Sequence, residues 1–246
     1  MNLREAPTSG RNAFGQPIGA AIPGWSRRDP LPRSPMAGRF CRLEPLDPAR
    51  HAASLFEAFS LDADGRNWTY LFYGPFASEA EFREWTNWAA GQDDTLFFAI
   101  IDGETAKAIG VASYLRLDPA CGVVEVGHLN YSPLLQRKPS ATEAMYLMMR
   151  RAFEEFGYRR YEWKCDALNA PSRAAAARLG FRFEGIFRQA MISKGRNRDT
   201  AWYSIIDCEW QDVKVAFERW LDPTNFDAAG RQRASLSALR TTRERG

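Results

Sequence analysis

Histidine is almost missing from this chain of 246 residues: only His51 and His128 are present. A centre built on several imidazoles is not expected, and no metal is. Cysteine is scarce and scattered. Cys41, Cys121, Cys165 and Cys208 form no C-x-x-C pair, so they read as reduced thiols, not as a disulfide framework or a zinc site. No charge sign dominates either. Thirty-three Lys and Arg against thirty Asp and Glu leave a net charge of +3, which gives nucleic acid no broad electrostatic footprint. Long apolar runs are lacking too. Nothing approaches the roughly 20 residues that span a bilayer, so no membrane association is expected. The opening MNLREAPTSGRNAFGQPIGAAIPGW has no continuous apolar core of the secretion-signal kind. The expected location is the cytoplasm.

What is present is core material. Hydrophobic residues make up 45%, with eight Trp and sixteen Phe, more than a disordered chain carries. The length suits one domain with extensions. Residues 1–38 are rich in Pro and Gly, and Pro30, Pro32 and Pro35 stand too close together for a helix or central strand. They read as an extended arm, either mobile or anchored by Phe14, Ile18, Ile22 and Trp25. Residues 39–221 carry the periodic segments. Residues 222–246 form a basic tail with Arg231, Arg233, Arg240, Arg243 and Arg245; a solvated, frayed terminus is expected, not an anchor for an acidic surface.

Within 39–221, alternation over 39–44 suggests a first strand. Asp47-Pro48 is an N-cap followed by Pro at the first helical position, and Ser78 with Glu81 is a capping box. Strands are predicted over 95–102, 108–117 and 122–131 as an antiparallel meander. Met145, Met148, Met149, Ala152, Phe153 and Phe156 recur at helical spacing, giving a helix over 141–156 closed by Gly157. A strand over 160–166, an Ala-rich helix over 169–179, strands over 181–189 and 200–208 and a helix over 210–221 complete the order. The class is a mixed α/β sheet with helices on its faces.

The segment from 122 to 185 holds the chemistry. A strand leads through a short loop into a long helix, whose first amides and dipole make an anion site. Leu134, Leu135, Gln136, Arg137 and Lys138 line that approach, and Ser140, Ala141 and Thr142 open the helix. An ordinary capped helix behind a basic loop would look the same. Glu125 sits among Val123, Val124, Val126 and Leu129, where a carboxylate is expensive without a partner or a task. It is either a general base, its pKa raised by burial, or the partner of an Arg across the sheet. His128 is the second candidate base or a satisfied half-buried histidine. Regular alternation puts the two on opposite faces, and only a bulge would bring them together. The loop 68–76 and the following helix supply Trp68, Tyr70, Tyr73 and Trp85 as candidate walls for an amine, against plain core packing.

Ala141-Thr142-Glu143-Ala144 with the apolar helix ending at Phe156-Gly157-Tyr158, then Asn169-Ala-Pro-Ser172 and Leu179-Gly180-Phe181, resembles the GNAT superfamily of N-acetyltransferases, nearest the branch acting on ribosomal-protein N-termini. The resemblance runs from about Arg39 to Trp210. It implies a GNAT fold with a mostly antiparallel sheet, acetyl-CoA as co-substrate, and transfer to a primary amine by direct attack. The acceptor is a small molecule or a protein N-terminus. The resemblance implies that Leu134 to Lys138, Ser140, Ala141 and Thr142 hold the cofactor, that Asn169 touches its pantetheine arm, and that Ser172 lies near the thiol as a proton donor; Tyr203 is a rival donor only through its place on a late strand. A homodimer is expected because many relatives form dimers. One departure stands out: Pro139 occupies the position of the first Gly of the family's cofactor loop. It removes one amide donor, which Arg137, Lys138 and Ser140 are expected to offset. The other outcome is weak or lost CoA binding, and it keeps a second reading open, a non-catalytic acyl-CoA-binding regulatory module. An adaptor that binds nucleic acid through the arginine tail is a third reading, with little behind it.

Overall fold

The computed structural model describes residues 10–241. A two-stranded ribbon, β1 (Gly10–Arg11) with β2 (Pro17–Ile18), stands apart from the main sheet. That sheet comprises β3 (Met36–Ala37), β4 (Cys41–Pro45), β5 (Leu96–Asp102), β6 (Ala108–Asp118), β7 (Val123–Tyr131), β8 (Arg160–Asp166), β9 (Arg182–Ser193) and β10 (Arg196–Ile206). Its order is β3-β4-β5-β6-β7-β8-β10-β9. All its neighbours are antiparallel except β7 and β8. Between them α1 (Pro48–Phe59), α2 (Glu79–Ala90), α3 (Pro139–Arg150), α4 (Ala170–Leu179), α5 (Asp207–Leu221) and α6 (Leu236–Thr241) complete the chain. The mixed sheet with helices on both faces is the fold expected from the sequence.

Two apolar cores lie on the two faces, and β5 feeds both. Its Leu96, Phe98 and Ile100 point into the larger core with Tyr114, Val126, Met145, Met148 and Phe217. Phe97, Ala99 and Ile101 point into the smaller one with Leu55, Phe59, Phe82 and Trp85 of α1 and α2. A strand buried on both sides reads as a continuous apolar run, as LFFAIID does. Local signals set the helix starts. Asp47 accepts from the Ala49 amide at 2.9 Å ahead of Pro48, and Ser78 accepts from Glu81 at 3.2 Å. Glu81 reaches back to the Ala77 amide instead of that of Ser78.

Several elements depart from expectation. Helix α3 begins at Pro139 and ends at Arg150, continuing as one π turn over Arg151–Glu155. There Arg151 donates to the carbonyls of Ser34 and Pro35 at 2.6 and 2.8 Å. The segment before β4 is tied down by Glu143, a buried carboxylate that accepts from the consecutive amides of Arg39, Phe40 and Cys41 at 2.8, 2.6 and 2.8 Å. Of the four suggested arm anchors, Phe14, Ile18 and Ile22 are exposed; Trp25 alone packs, donating to Ala120 O at 2.9 Å. Leu31 and Met36 enter the main core instead. The tail also differs: Leu236 is buried in the core and Arg240 donates to Ala177 O at 2.9 Å, while Arg243 and Arg245 lie outside the described residues. Strands β9 and β10 run farther than their apolar content indicated. They meet at Lys194-Gly195, both at positive φ (49° and 72°), the backbone of a tight hairpin. Residue 208 starts no strand end, since α5 begins at Asp207. Cys41 and Cys165 are buried, Cys121 and Cys208 exposed.

Candidate active site

Strands β7 and β8 pair in parallel as far as Val126 opposite Trp163 and no farther. Strand β7 stays on β6 up to Tyr131 opposite Gly110. The sheet therefore opens between β7 and β8 at Gly127. At the same place β7 bulges: three residue steps from Gly127 to Asn130 face two from Ser113 to Val111. His128 sits in that bulge at φ 50°. The extra residue breaks the alternation, so Glu125 and His128 both line one cavity of about 460 Å³. Asn169, Ser172, Tyr70, Arg116, Lys164 and Arg198 line it too.

Glu125 is buried and faces a cation on the neighbouring strand. Lys164 Nζ lies 2.8 Å from Glu125 Oε2 and 2.7 Å from Glu162 Oε2, and 3.7 Å over the Trp202 ring. Lys164 engages one lone pair of Glu125 Oε2, and the remaining lone pairs of the carboxylate keep acceptor capacity. Arg116 Nε stands 3.5 Å away. The expected cross-sheet partner is thus a lysine with an arginine farther off. Burial pushes the Glu125 carboxyl above its ordinary value, and Lys164 pulls against it without reversing the sign.

His128 is half-buried between aromatic rings. Its Nδ1 lies 3.3 Å from Tyr73 Oη, the two rings stack at 5.7 Å, and Phe97 lies 4.8 Å away. Burial lowers its pKa to about 4, so the imidazole is neutral and weakly basic near pH 7. Trp68 and Trp85 do not reach the cavity. Both are buried in the smaller core among Phe59, Phe76 and Phe82, because the loop 68–76 turns its largest rings inward. Tyr73 lies behind His128, and Tyr70 alone of the four lines the cavity, its hydroxyl donating to Leu168 O at 3.2 Å.

At the start of α4, Asn169 Oδ1 accepts from the Ser172 amide at 3.1 Å, so Asn169 caps the helix. Ser172 Oγ accepts from Trp163 Nε1 at 3.0 Å. Indole is a donor only, which leaves the hydroxyl proton for another acceptor. Tyr203 lies elsewhere, its oxygen accepting from Arg173 Nε at 3.1 Å.

The loop into α3 divides by direction. Leu135, Ser140, Ala141 and Thr142 turn inward and are buried. Leu135 fills core, and Thr142 Oγ1 accepts from Arg178 at 3.0 Å. Leu134, Arg137 and Lys138 are exposed, Arg137 at φ 60°. Gln136 donates to Tyr131 O at 2.8 Å and Asn67 Oδ1 at 2.9 Å, bracing the end of β7. Pro139 takes the first helical position, where a missing N–H is tolerated. The side chains left to meet an anion are therefore Arg137 and Lys138, together with first-turn amides.

Sequence reasoning missed Lys164, Arg116, Arg198 and Trp202. One signal was present. Strand β8 alternates Arg160, Glu162 and Lys164 with Tyr161, Trp163 and Cys165, a charged face that a solvated edge would also show. Among the described residues no group of His, Cys, Asp and Glu is arranged to hold a metal.

A family model for the acetyltransferase (GNAT) domain matches residues 41–182. The chain belongs to the GNAT family of acetyltransferases. A crystal structure of a GCN5-related N-acetyltransferase from Brucella melitensis is 49% identical, covers 89% of this chain and 100% of its own, and superposes with a TM-score of 0.87. YdaF of Bacillus subtilis (strain 168), provisionally named a ribosomal N-acetyltransferase, is 27% identical over 178 residues, 70% of this chain and 92% of YdaF. The uncharacterised N-acetyltransferase p20 of Bacillus licheniformis is 29% identical over 113 residues. That match spans 46% of this chain and 63% of p20.

Proposed function

We propose that this protein transfers an acetyl group from acetyl-CoA to the primary amine of a small molecule. Acetyl transfer to an amine is the family's general reaction. The observation that carries the reading is the opening between β7 and β8, which leads into a cavity lined by Glu125, His128, Asn169 and Ser172. The residues fit the cofactor. The unpaired edge of β7 beyond Val126 offers backbone groups to an amide-bearing pantetheine arm, and the start of α3 with Arg137 and Lys138 suits a pyrophosphate. When bound, the thioester supplies an activated acyl carbon. Asn169 borders the arm. The Leu129 amide donates to the acyl oxygen as charge gathers there. Glu125, its affinity for a proton raised by burial, takes the proton the amine must lose, directly or through water. The hydroxyl of Ser172, which also faces the Cys165 thiol, serves the departing sulfur as proton donor. His128 orders the aromatic wall and takes no proton.

The small-molecule acceptor is favoured by the clasp between the β9–β10 hairpin and the loop 68–76, both of which line the cavity. Lys194, at the tip of the β9–β10 hairpin, donates to Trp68 O and Gly74 O at 2.8 and 2.9 Å. A protein N-terminus is favoured by the likeness to YdaF and by the motif resemblance to the branch acting on ribosomal-protein N-termini. Melting with and without acetyl-CoA, then thiol release over amines and short peptides, tests the reading. Cofactor at about a hundred times its Kd adds roughly 2.7 kcal/mol. Glu125→Gln should lower kcat about 10²- to 10⁴-fold with the melting shift retained. Equal turnover in that variant would remove Glu125 from the mechanism; no shift at saturating acetyl-CoA would end the proposal.

A further inference from the structure

We propose that the acceptor is a small amine carrying a carboxylate beside the amine, an amino acid in its simplest form, and that β10 receives the carboxylate. The inference rests on the acceptor-site reading above. Three side chains of β10 line the cavity, and each holds a buried donor atom without a partner: Arg198 Nε, Thr200 Oγ1 and Trp202 Nε1. Arg198 is 8% exposed, and its guanidinium carbon lies 4.8 Å over the Phe72 ring. It makes no ion pair among the described residues. The other strongly buried cations are matched: Arg151 by the carbonyls of Ser34 and Pro35 and by Glu155, Lys164 by Glu125 and Glu162.

A guanidinium offers five N–H donors and no acceptor, and burying it unpaired is costly unless an anion completes it. The carboxylates that attract it, Asp166 and Glu125, have other engagements. Asp166 accepts from the Leu168 amide at 2.8 Å and Glu125 faces Lys164. Arg116, whose side chain is half-exposed, adds a second guanidinium to the cavity wall. Regular alternation puts Arg198, Thr200 and Trp202 on one side of β10; at this point the extra residues lie in β9, where four steps from Phe187 to Met191 face two from Thr200 to Arg198. Against these donors the same cavity presents a buried acceptor, the Glu125 carboxylate, whose lone pairs beyond the one that meets Lys164 can receive an amine. Donors for an anion and an acceptor for an amine in one cavity complement an amine and a carboxylate on one molecule. Phe72, Phe187 and Trp202 leave apolar surface between them for an aliphatic or aromatic side chain.

The test uses the full chain with L-phenylalanine, L-leucine and L-methionine, each beside its amide. Acid and amide share a side chain and differ in the carboxylate; comparing their ratio between variants removes the difference in amine basicity. Expected is an acid-to-amide ratio of kcat/KM that falls roughly 10- to 100-fold in Arg198→Ala, carried by KM. Arg198→Lys should keep part of the preference, since it keeps the charge and loses the fork. The melting shift with acetyl-CoA must be unchanged in both variants, which shows that they fold and bind cofactor. A second arm measures melting of the CoA complex with each acid and amide. A preference for the acid that Arg198→Ala abolishes, without turnover, upholds the carboxylate site and overturns acetyl transfer. Turnover with an acid-to-amide ratio that Arg198→Ala leaves unchanged, or no preferential binding of any acid, overturns the carboxylate site.

Discussion

Removing the ammonium of Lys164 should unfold the protein at neutral pH far more than its single-residue size suggests, and acid should partly undo the damage. Lys164 is 6% exposed at its side chain and sits 2.8 and 2.7 Å from Glu125 and Glu162, whose Cα atoms are direct partners across the parallel pair. At an effective dielectric near 20 each contact is worth about 6 kcal/mol of attraction before desolvation. Desolvation of three buried charges cancels most of that, and breaking such a set by deleting one member leaves about 3–5 kcal/mol of net loss. Lys164→Met keeps the length and the contact with Trp202 but leaves two carboxylates side by side. Glu125, whose pKa is already raised by burial, then loses the cation that opposes the shift and gains further affinity for a proton over the unfolded chain, while Glu162 keeps Arg160 at 2.6 Å. The folded state binds the proton more tightly, so stability rises as pH falls through the raised folded pKa. Denaturant unfolding followed by tryptophan fluorescence, near pH 7.5 and near pH 5, reads both effects. The variant should lose about 3–5 kcal/mol at the higher pH and distinctly less at the lower. Glu125→Gln in the same chain should recover part of the loss, a coupling that a double-mutant cycle isolates. A loss below about 1 kcal/mol at pH 7.5, the range of an exposed pair, would refute the reasoning. So would an equal loss at both pH values.

His128 gives the opposite slope. Its folded pKa is lowered to about 4, so the unfolded chain binds the proton first, and about 3 kcal/mol of stability is lost as pH falls from about 6.5 to 4; His128→Asn should flatten that part of the pH curve, and an unchanged curve would show that the imidazole is not held neutral. Glu143→Gln replaces one of the oxygens that meet the three amides of Arg39, Phe40 and Cys41 with a donor, and should cost about 2–4 kcal/mol in denaturant unfolding; a neutral result would mean that those amides have another acceptor. Pro139→Gly restores an amide N–H at the start of α3 and should change acetyl-CoA affinity less than tenfold by calorimetry, because Arg137 and Lys138 remain exposed beside it; a larger gain would show that the proline impairs the site.

Much of the scaffold was legible because its signals are local. Asp47, Ser78 and Asn169 cap helices through side-chain bonds that span two or three residues, and Met145, Met148 and Met149 share a helical stripe whatever lies opposite. Less local features were missed. The hairpin turn at Lys194-Gly195 lacks the usual Asn or Asp before Gly, so 190–199 showed no strand end. Leu236 enters the core only because the chain folds back after Asp222.

The candidate site divides in the same way. Glu125 stood out in the sequence as a carboxylate among valines, whereas Asn169 and Ser172 were reached through the family resemblance. Tertiary structure alone decided that β7 leaves β8 at Gly127, that a bulge turns His128 to the side of Glu125, and that Lys164 lies between two glutamates. It also decided that the aromatic loop spends Trp68 and Trp85 on the core while Arg198, Thr200 and Trp202 meet in the cavity. Local bonds and periodicities follow from residues a few positions apart. Burial, pKa and the absence of a partner are properties of every strand packed around a group, and β7, β8 and β10 come together only in the folded sheet.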